Sequence, residues 1–162
     1  MERPQREENL NVVTHAIGTV LSVVAAGLLL IKAAGSDHQI LQLASAAYGF
    51  SLIGVFLSST MSHLAVTPVW RQRWRQLDQA FIYLLIVSTY TPFATVYLRS
   101  TFWSILLGAM WVLAIVGFVS KLWAAHRVDS VSVLGYVALG WMPILGGTSI
   151  FVGVPPGAVW GI

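Results

Sequence analysis

Charged residues divide this chain into long apolar blocks rather than short amphipathic periods. The stretches between Glu8 and Lys32, Asp37 and Arg71, Asp78 and Arg99, Arg99 and Lys121, and from Asp129 to the C-terminus run for 23, 33, 20, 21 and 33 residues without Asp, Glu, Lys or Arg. A helix needs about 20 apolar residues to cross a bilayer. A soluble helix of that length needs a polar stripe to meet water, and none of these blocks shows one. Backbone inside lipid must satisfy its own hydrogen bonds, so such blocks read as membrane helices. The pattern predicts an all-α, polytopic membrane helix bundle with five spans, near 12–32, 40–65, 79–97, 101–122 and 130–152. Residues 1–11 form a retained cytoplasmic tail, and 153–162 a turn at Pro155 and Pro156 with the truncated start of a sixth helix.

Composition sharpens this picture. The 162 residues are 57% hydrophobic and 9% charged, with a mean hydropathy of +0.77. Such a chain is excluded from the ordinary soluble class. With no cysteine, disulfides and thiolate metal sites are excluded as well. A pI near 9.6 would suit nucleic acid, but the basic residues sit in short connections, so no nucleic-acid partner is expected. Arg3, Arg6, Arg71, Arg73, Arg75, Lys121 and Arg127 fall on one side of the five-span scheme, Lys32 and Arg99 on the other. By the positive-inside rule the first side is cytoplasmic. Trp70, Trp74, Trp103 and Trp123 lie at span ends, as interfacial anchors do, whereas Trp111 and Trp141 lie away from them, packed or facing lipid.

The remaining polar groups gather at that cytoplasmic level. Glu8, Asn11 and His15 follow an i, i+3, i+7 spacing and share a helix face, with Thr14 beside it. Ser59 and His63 are one turn apart at the end of the second span, and Asp78 begins the third. Ionisable groups in a membrane are costly and turn inward. His63 therefore looks into the bundle, either as a plain helix-to-helix hydrogen bond or as a ligand. Asp78 reads equally as an N-cap carboxylate or as part of a site. A catalytic zinc takes three protein ligands and leaves a place for water. From spacing, only His63 is a good direct ligand, with Asp78 as ligand or base, Ser59 in support and His15 available.

At these residues the chain resembles the hemolysin III group of the progestin and adipoQ receptor family, in the superfamily that also holds the alkaline ceramidases. "EENLNVVTHAIG" resembles its E-x-x-N-x-x-T-H opening (Glu8, Asn11, Thr14, His15). "SSTMSH" resembles its S-x-x-x-H (Ser59, His63), and "LDQAFIYLLIVSTYTPF" its third-span segment from Asp78. The resemblance implies a seven-helix fold with the N-terminus inside, here truncated before the last two helices. It also implies a zinc-dependent hydrolase of lipid amides, with His63 as metal ligand and Asp78 near the attacking water. In the family an H-x-x-x-H pair completes the site. No such pair occurs in this chain, and neither His38 nor His126 replaces it. A pore-forming cytolysin acting as an oligomer and an inactive member are the alternative expectations. Membrane lipids are the expected partners, with a homo-oligomer allowed, and a bacterial plasma membrane the expected location.

Pro92 and Pro143 lie within spans and predict kinks or repaired hydrogen bonds. Gly135, Gly140, Gly146 and Gly147 predict close helix packing. "RQRWRQ" (71–76) either touches anionic lipid headgroups or sets topology.

Overall fold

The computed structural model of the chain describes residues 5–123 and 129–147, and within them every regular element is helical. α1 (Gln5–Ala34), α2 (Gln39–Leu64), α3 (Pro68–Tyr97), α4 (Thr101–Trp123) and α5 (Asp129–Trp141) are followed by a 3₁₀ turn, Met142–Gly146. α1 packs on α2, α2 on α3 and α3 on α4, while α5 contacts both α3 and α4. The connections Gly35–His38, Ala65–Thr67 and Leu98–Ser100 are short, so successive helices run antiparallel. α1 to α4 are each long and apolar enough to cross a membrane. α5, with 13 residues, continues only into the 3₁₀ turn. The expected fifth span therefore extends beyond the described residues, as do 153–162 and His126.

Burial is inverted relative to a water-soluble bundle. The buried positions of α2 are Ala44, Ser45, Gly49, Ser51, Ser58, Ser59, Thr60 and Ser62, whereas Leu43 (72% exposed) and Phe50 (64% exposed) point outward. Lipid tails are as apolar as leucine, so helices gain nothing by hiding large side chains from them. Small residues, which let backbones approach, occupy the interface instead. The outward leucines, valines and isoleucines of α1, α2 and α4 would be an untenable surface in water. The chain is a multi-pass integral membrane protein.

Several hydroxyls in this seam return to their own helix. Ser22 donates to the Gly18 carbonyl (2.6 Å), Ser51 to Ala47 (2.8 Å), Thr60 to Phe56 (2.7 Å) and Ser62 to Ser59 (2.8 Å). Such back-bonding satisfies a hydroxyl without a partner helix. The polar seam therefore reaches further along α2 than the cytoplasmic turn to which the sequence reading confines it.

On the other side of the bundle, Tyr83, Val87, Trp103, Leu106, Met110, Ala114 and Leu139 form the apolar core between α3, α4 and α5. Tyr83 is its wedge. A Cβ on Gly117 would lie 2.6 Å from the Tyr83 ring, and one on Gly135 would lie 2.7 Å from its hydroxyl. Gly140 contributes its carbonyl to the Tyr90 hydroxyl (2.8 Å). Gly146 makes room for the Trp103 ring, while Gly147 adopts φ +55°, a left-handed conformation that favours glycine. Gly117→Val is expected to lower stability by about 1–3 kcal/mol through overpacking, read as a lower unfolding midpoint of the purified protein. Gly108→Ala, whose added Cβ meets nothing within 4 Å, is the matched control with no loss.

Four sequence expectations change. α3 begins at Pro68, with Thr67 as N-cap and proline in the first turn, so Arg71, Arg73 and Arg75 lie on a helix rather than in a loop. Hydropathy marks where a span ends, not where its helix does, and Pro68 supplies a start signal. Asp78 therefore lies well inside α3, and its N-cap reading is discarded. Trp103 stands near a span end but is buried in the core. Pro143 falls in the 3₁₀ turn after α5, so it ends a helix instead of kinking one. Trp111 packs inward and donates its indole N–H to Thr91 (3.1 Å), while Trp141 is exposed.

Candidate functional site

The three-residue link between α2 and α3 fixes the end of α2 beside the first turns of α3, and the antiparallel course of α1 brings its N-terminal turns to the same end. There Glu8 and His63 pair, with Nδ1 and Oε2 2.8 Å apart. Their side chains are 16% and 13% exposed. With Glu8 ionised, its carboxylate only accepts hydrogen bonds, and Nδ1 would carry the proton that it accepts. In the neutral ring this leaves the lone pair on Nε2. The His15 ring lies parallel to that of His63, with centroids 5.6 Å apart and an interplanar angle of 9°. Beyond it the Phe56 ring stands 6.3 Å from His15.

From α3, Asp78 completes the group. Its carboxylate accepts a hydrogen bond from the Ser59 hydroxyl and lies within electrostatic reach of His15 and His63. Ser59 is buried, so this hydroxyl orients the carboxylate in a place poor in water. Three helices thus place two carboxylates, two imidazoles and a hydroxyl together. The two remaining sequence candidates stand differently. Thr14 is exposed and turns its hydroxyl back to the Leu10 (2.9 Å) and Asn11 (3.1 Å) carbonyls, away from the cluster. Asn11 is half-buried beside Thr14 and has no side-chain bond to the cluster.

Thr19 and Thr60, absent from the sequence reading, form the floor. Their hydroxyls are 3.2 Å apart across α1 and α2, and Thr19 also donates to the His15 carbonyl (2.9 Å). The available signal was spacing: Thr19 is one turn beyond His15, and Thr60 follows Ser59. A second clasp lies nearby on the α3–α4 side, where Lys121 Nζ donates to Gln79 Oε1 (2.9 Å). The Tyr136 hydroxyl donates to the Gln79 carbonyl (2.7 Å), tying α5 to the residue after Asp78.

Among the described residues, no group of three or more His, Asp or Glu is arranged to hold a metal ion. The donor set is a partial one: the His63 imidazole, with the Glu8 carboxylate on its Nδ1, and the Asp78 carboxylate in the same cluster. A carboxylate on the far nitrogen of an imidazole is the usual support of a metal-binding histidine. The residues fit a zinc shell as one part of it, short of the three ligands a catalytic ion takes.

A bundle of membrane-crossing helices that shelters an ionisable cluster at one end defines a polytopic membrane protein with a buried polar centre. Residues 4–160 match the family described as Haemolysin-III related, and the chain belongs to that family. It is 36% identical over 140 residues to "Hemolysin-3" of Bacillus cereus, covering 86% of this chain and 64% of the relative. It is also 35% identical over 142 residues to "Hemolysin-3 homolog" of Bacillus subtilis (strain 168), covering 86% and 66%. The chain spans just under two thirds of the length of these relatives. No solved structure matches it.

Proposed function

We propose that this hemolysin III family protein is a zinc-dependent hydrolase of lipid amides, with its site at the cytoplasmic face of a bacterial plasma membrane. The observation that carries the reading is the Glu8–His63 pair (2.8 Å) set against an Asp78 carboxylate held by Ser59. An imidazole with a carboxylate behind it is a poised metal ligand. A second carboxylate fixed by a buried hydroxyl is a poised base. When bound, zinc would polarise the scissile carbonyl and acidify a water. With zinc bound, His63 would be its ligand on this chain, Glu8 would keep the ring in the required tautomer, and Asp78 would orient the attacking water and accept its proton. Ser59 fixes the orientation of that carboxylate. Further ligands would have to lie outside the described residues. The basic residues at this end support the cytoplasmic assignment, and the lipid-facing bundle supports a substrate that arrives from the bilayer.

Metal measured on protein purified from membranes tests the reading. Zinc is expected in the wild type, its removal by a chelator is expected to abolish lipid-amide hydrolysis, and added zinc to restore it. Glu8→Gln is expected to weaken zinc binding by about 10- to 100-fold. A wild type that takes up no zinc, or a Glu8→Gln variant that binds it as tightly, overturns the proposal.

The names of the relatives carry the word hemolysin, and an oligomeric pore is the competing reading. A conducting path needs polar groups open to water through the whole membrane. Ser51, Ser58, Thr60 and Ser62 of α2 are buried and bonded to their own backbone, which favours the hydrolase.

A further inference from the structure

At the end of the bundle opposite the Glu8–His63 cluster, a cavity of about 730 Å³ opens between the α1–α2 connection, the end of α3 and the start of α4. Asp37 and His38 line it from the first, Thr95 from the second, Arg99 from the connection that follows, and Ser104 and Leu107 from the third. Ligand sites have volumes of about 300–1,000 Å³, with mostly apolar walls and a few polar groups that fix orientation. Here the apolar wall is Ile40, Leu41, Leu98 and Leu107. The polar groups have both signs: Asp37 and Arg99 share the cavity, yet among the described residues neither has an ion-pair partner.

We propose that this cavity binds the headgroup of a zwitterionic phospholipid bearing a primary amine, of the phosphoethanolamine class. Arg99 takes the phosphate through its planar fork of N–H donors. Asp37 accepts hydrogen bonds from the ammonium, and Thr95 and Ser104 serve the glycerol and ester oxygens. The acyl chains continue along the apolar wall into the bilayer that surrounds the helices. A quaternary choline is a poorer fit, because it is recognised by open aromatic faces, and the one aromatic residue in the lining, Trp103, is 6% exposed. A purely anionic headgroup would leave Asp37 facing like charge.

Native mass spectrometry of the whole chain, purified and offered phosphatidylethanolamine, phosphatidylcholine and phosphatidylglycerol in equal amounts, tests this. Retention of phosphatidylethanolamine above the other two is expected. Arg99→Gln and Asp37→Asn should each reduce it by about fivefold, the weight of one charge near a membrane surface. Both residues are exposed, so the variants should fold, which an unchanged melting midpoint verifies. Soluble glycerophosphoethanolamine separates a lipid from a free metabolite: if it displaces the lipid at equal concentration, the ligand is the free headgroup and the lipid proposal is wrong. Equal retention of all three lipids, or loss of anionic lipid alone on Arg99→Gln with Asp37→Asn silent, also overturns it.

Discussion

Asp78→Asn is expected to cut lipid-amide hydrolysis by about 100- to 10,000-fold, the span associated with losing a positioned general base, with zinc still bound. The amide is close in shape to the carboxylate and can still accept the Ser59 hydrogen bond, so the local fold should persist. What disappears is the group that takes a proton. Zinc content separates the two roles open to this carboxylate. Activity lost with zinc retained identifies a base, whereas both lost together identify a ligand. Turnover at the wild-type rate would remove Asp78 from the mechanism altogether. Ser59→Ala should give a milder loss, because it frees the carboxylate to rotate without deleting it.

The second large effect is on His63. His63→Ala should reduce zinc in the purified protein to background, since the imidazole is the one strong ligand that α2 offers. It should also destabilise the bundle by about 1–3 kcal/mol, because the part-buried hydrogen bond that joins α1 to α2 through Glu8 is lost. A double variant, Glu8→Gln with His63→Ala, discriminates between these losses. The carboxylate is gone, so stability should recover in part while zinc does not return. Non-additivity of this kind is expected of residues in direct contact. Equal zinc in His63→Ala and the wild type would show that the pair is only a helix-to-helix bond.

Much of the architecture was visible from the spacing of charges. Four uncharged blocks correspond to α1 to α4, because a lipid environment forbids ionisable groups along most of a span. The start of α3 was not visible, since "RQRWRQ" is polar and hydropathy cannot distinguish a helix in water from a loop. The site was legible as a level, not as a set of contacts. Spacing put Glu8, His15, Ser59, His63 and Asp78 at one depth, yet it could not reveal that Glu8 reaches His63 or that His15 stacks on it. Nor could it reveal that Thr14, one position from His15, turns away, because a threonine that bonds its own backbone looks the same in sequence as one that serves a neighbour. The serines of α2 are silent in the sequence for the same reason. Trp103 misled because the position of a tryptophan along a span does not say which way its ring points.

Glu8 and His63 are carried by helices whose shared connection, Gly35–His38, lies at the far end of both. Asp78 and His63, by contrast, belong to helices tied together a few residues away. The second pair is therefore held at nearly constant separation, while the first depends on the longitudinal register of α1 along its neighbour. A slip of one residue is about 1.5 Å, enough to part a contact of 2.8 Å. A longitudinal displacement of α1 would therefore break the Glu8–His63 contact while leaving the α2–α3 side of the cluster in place.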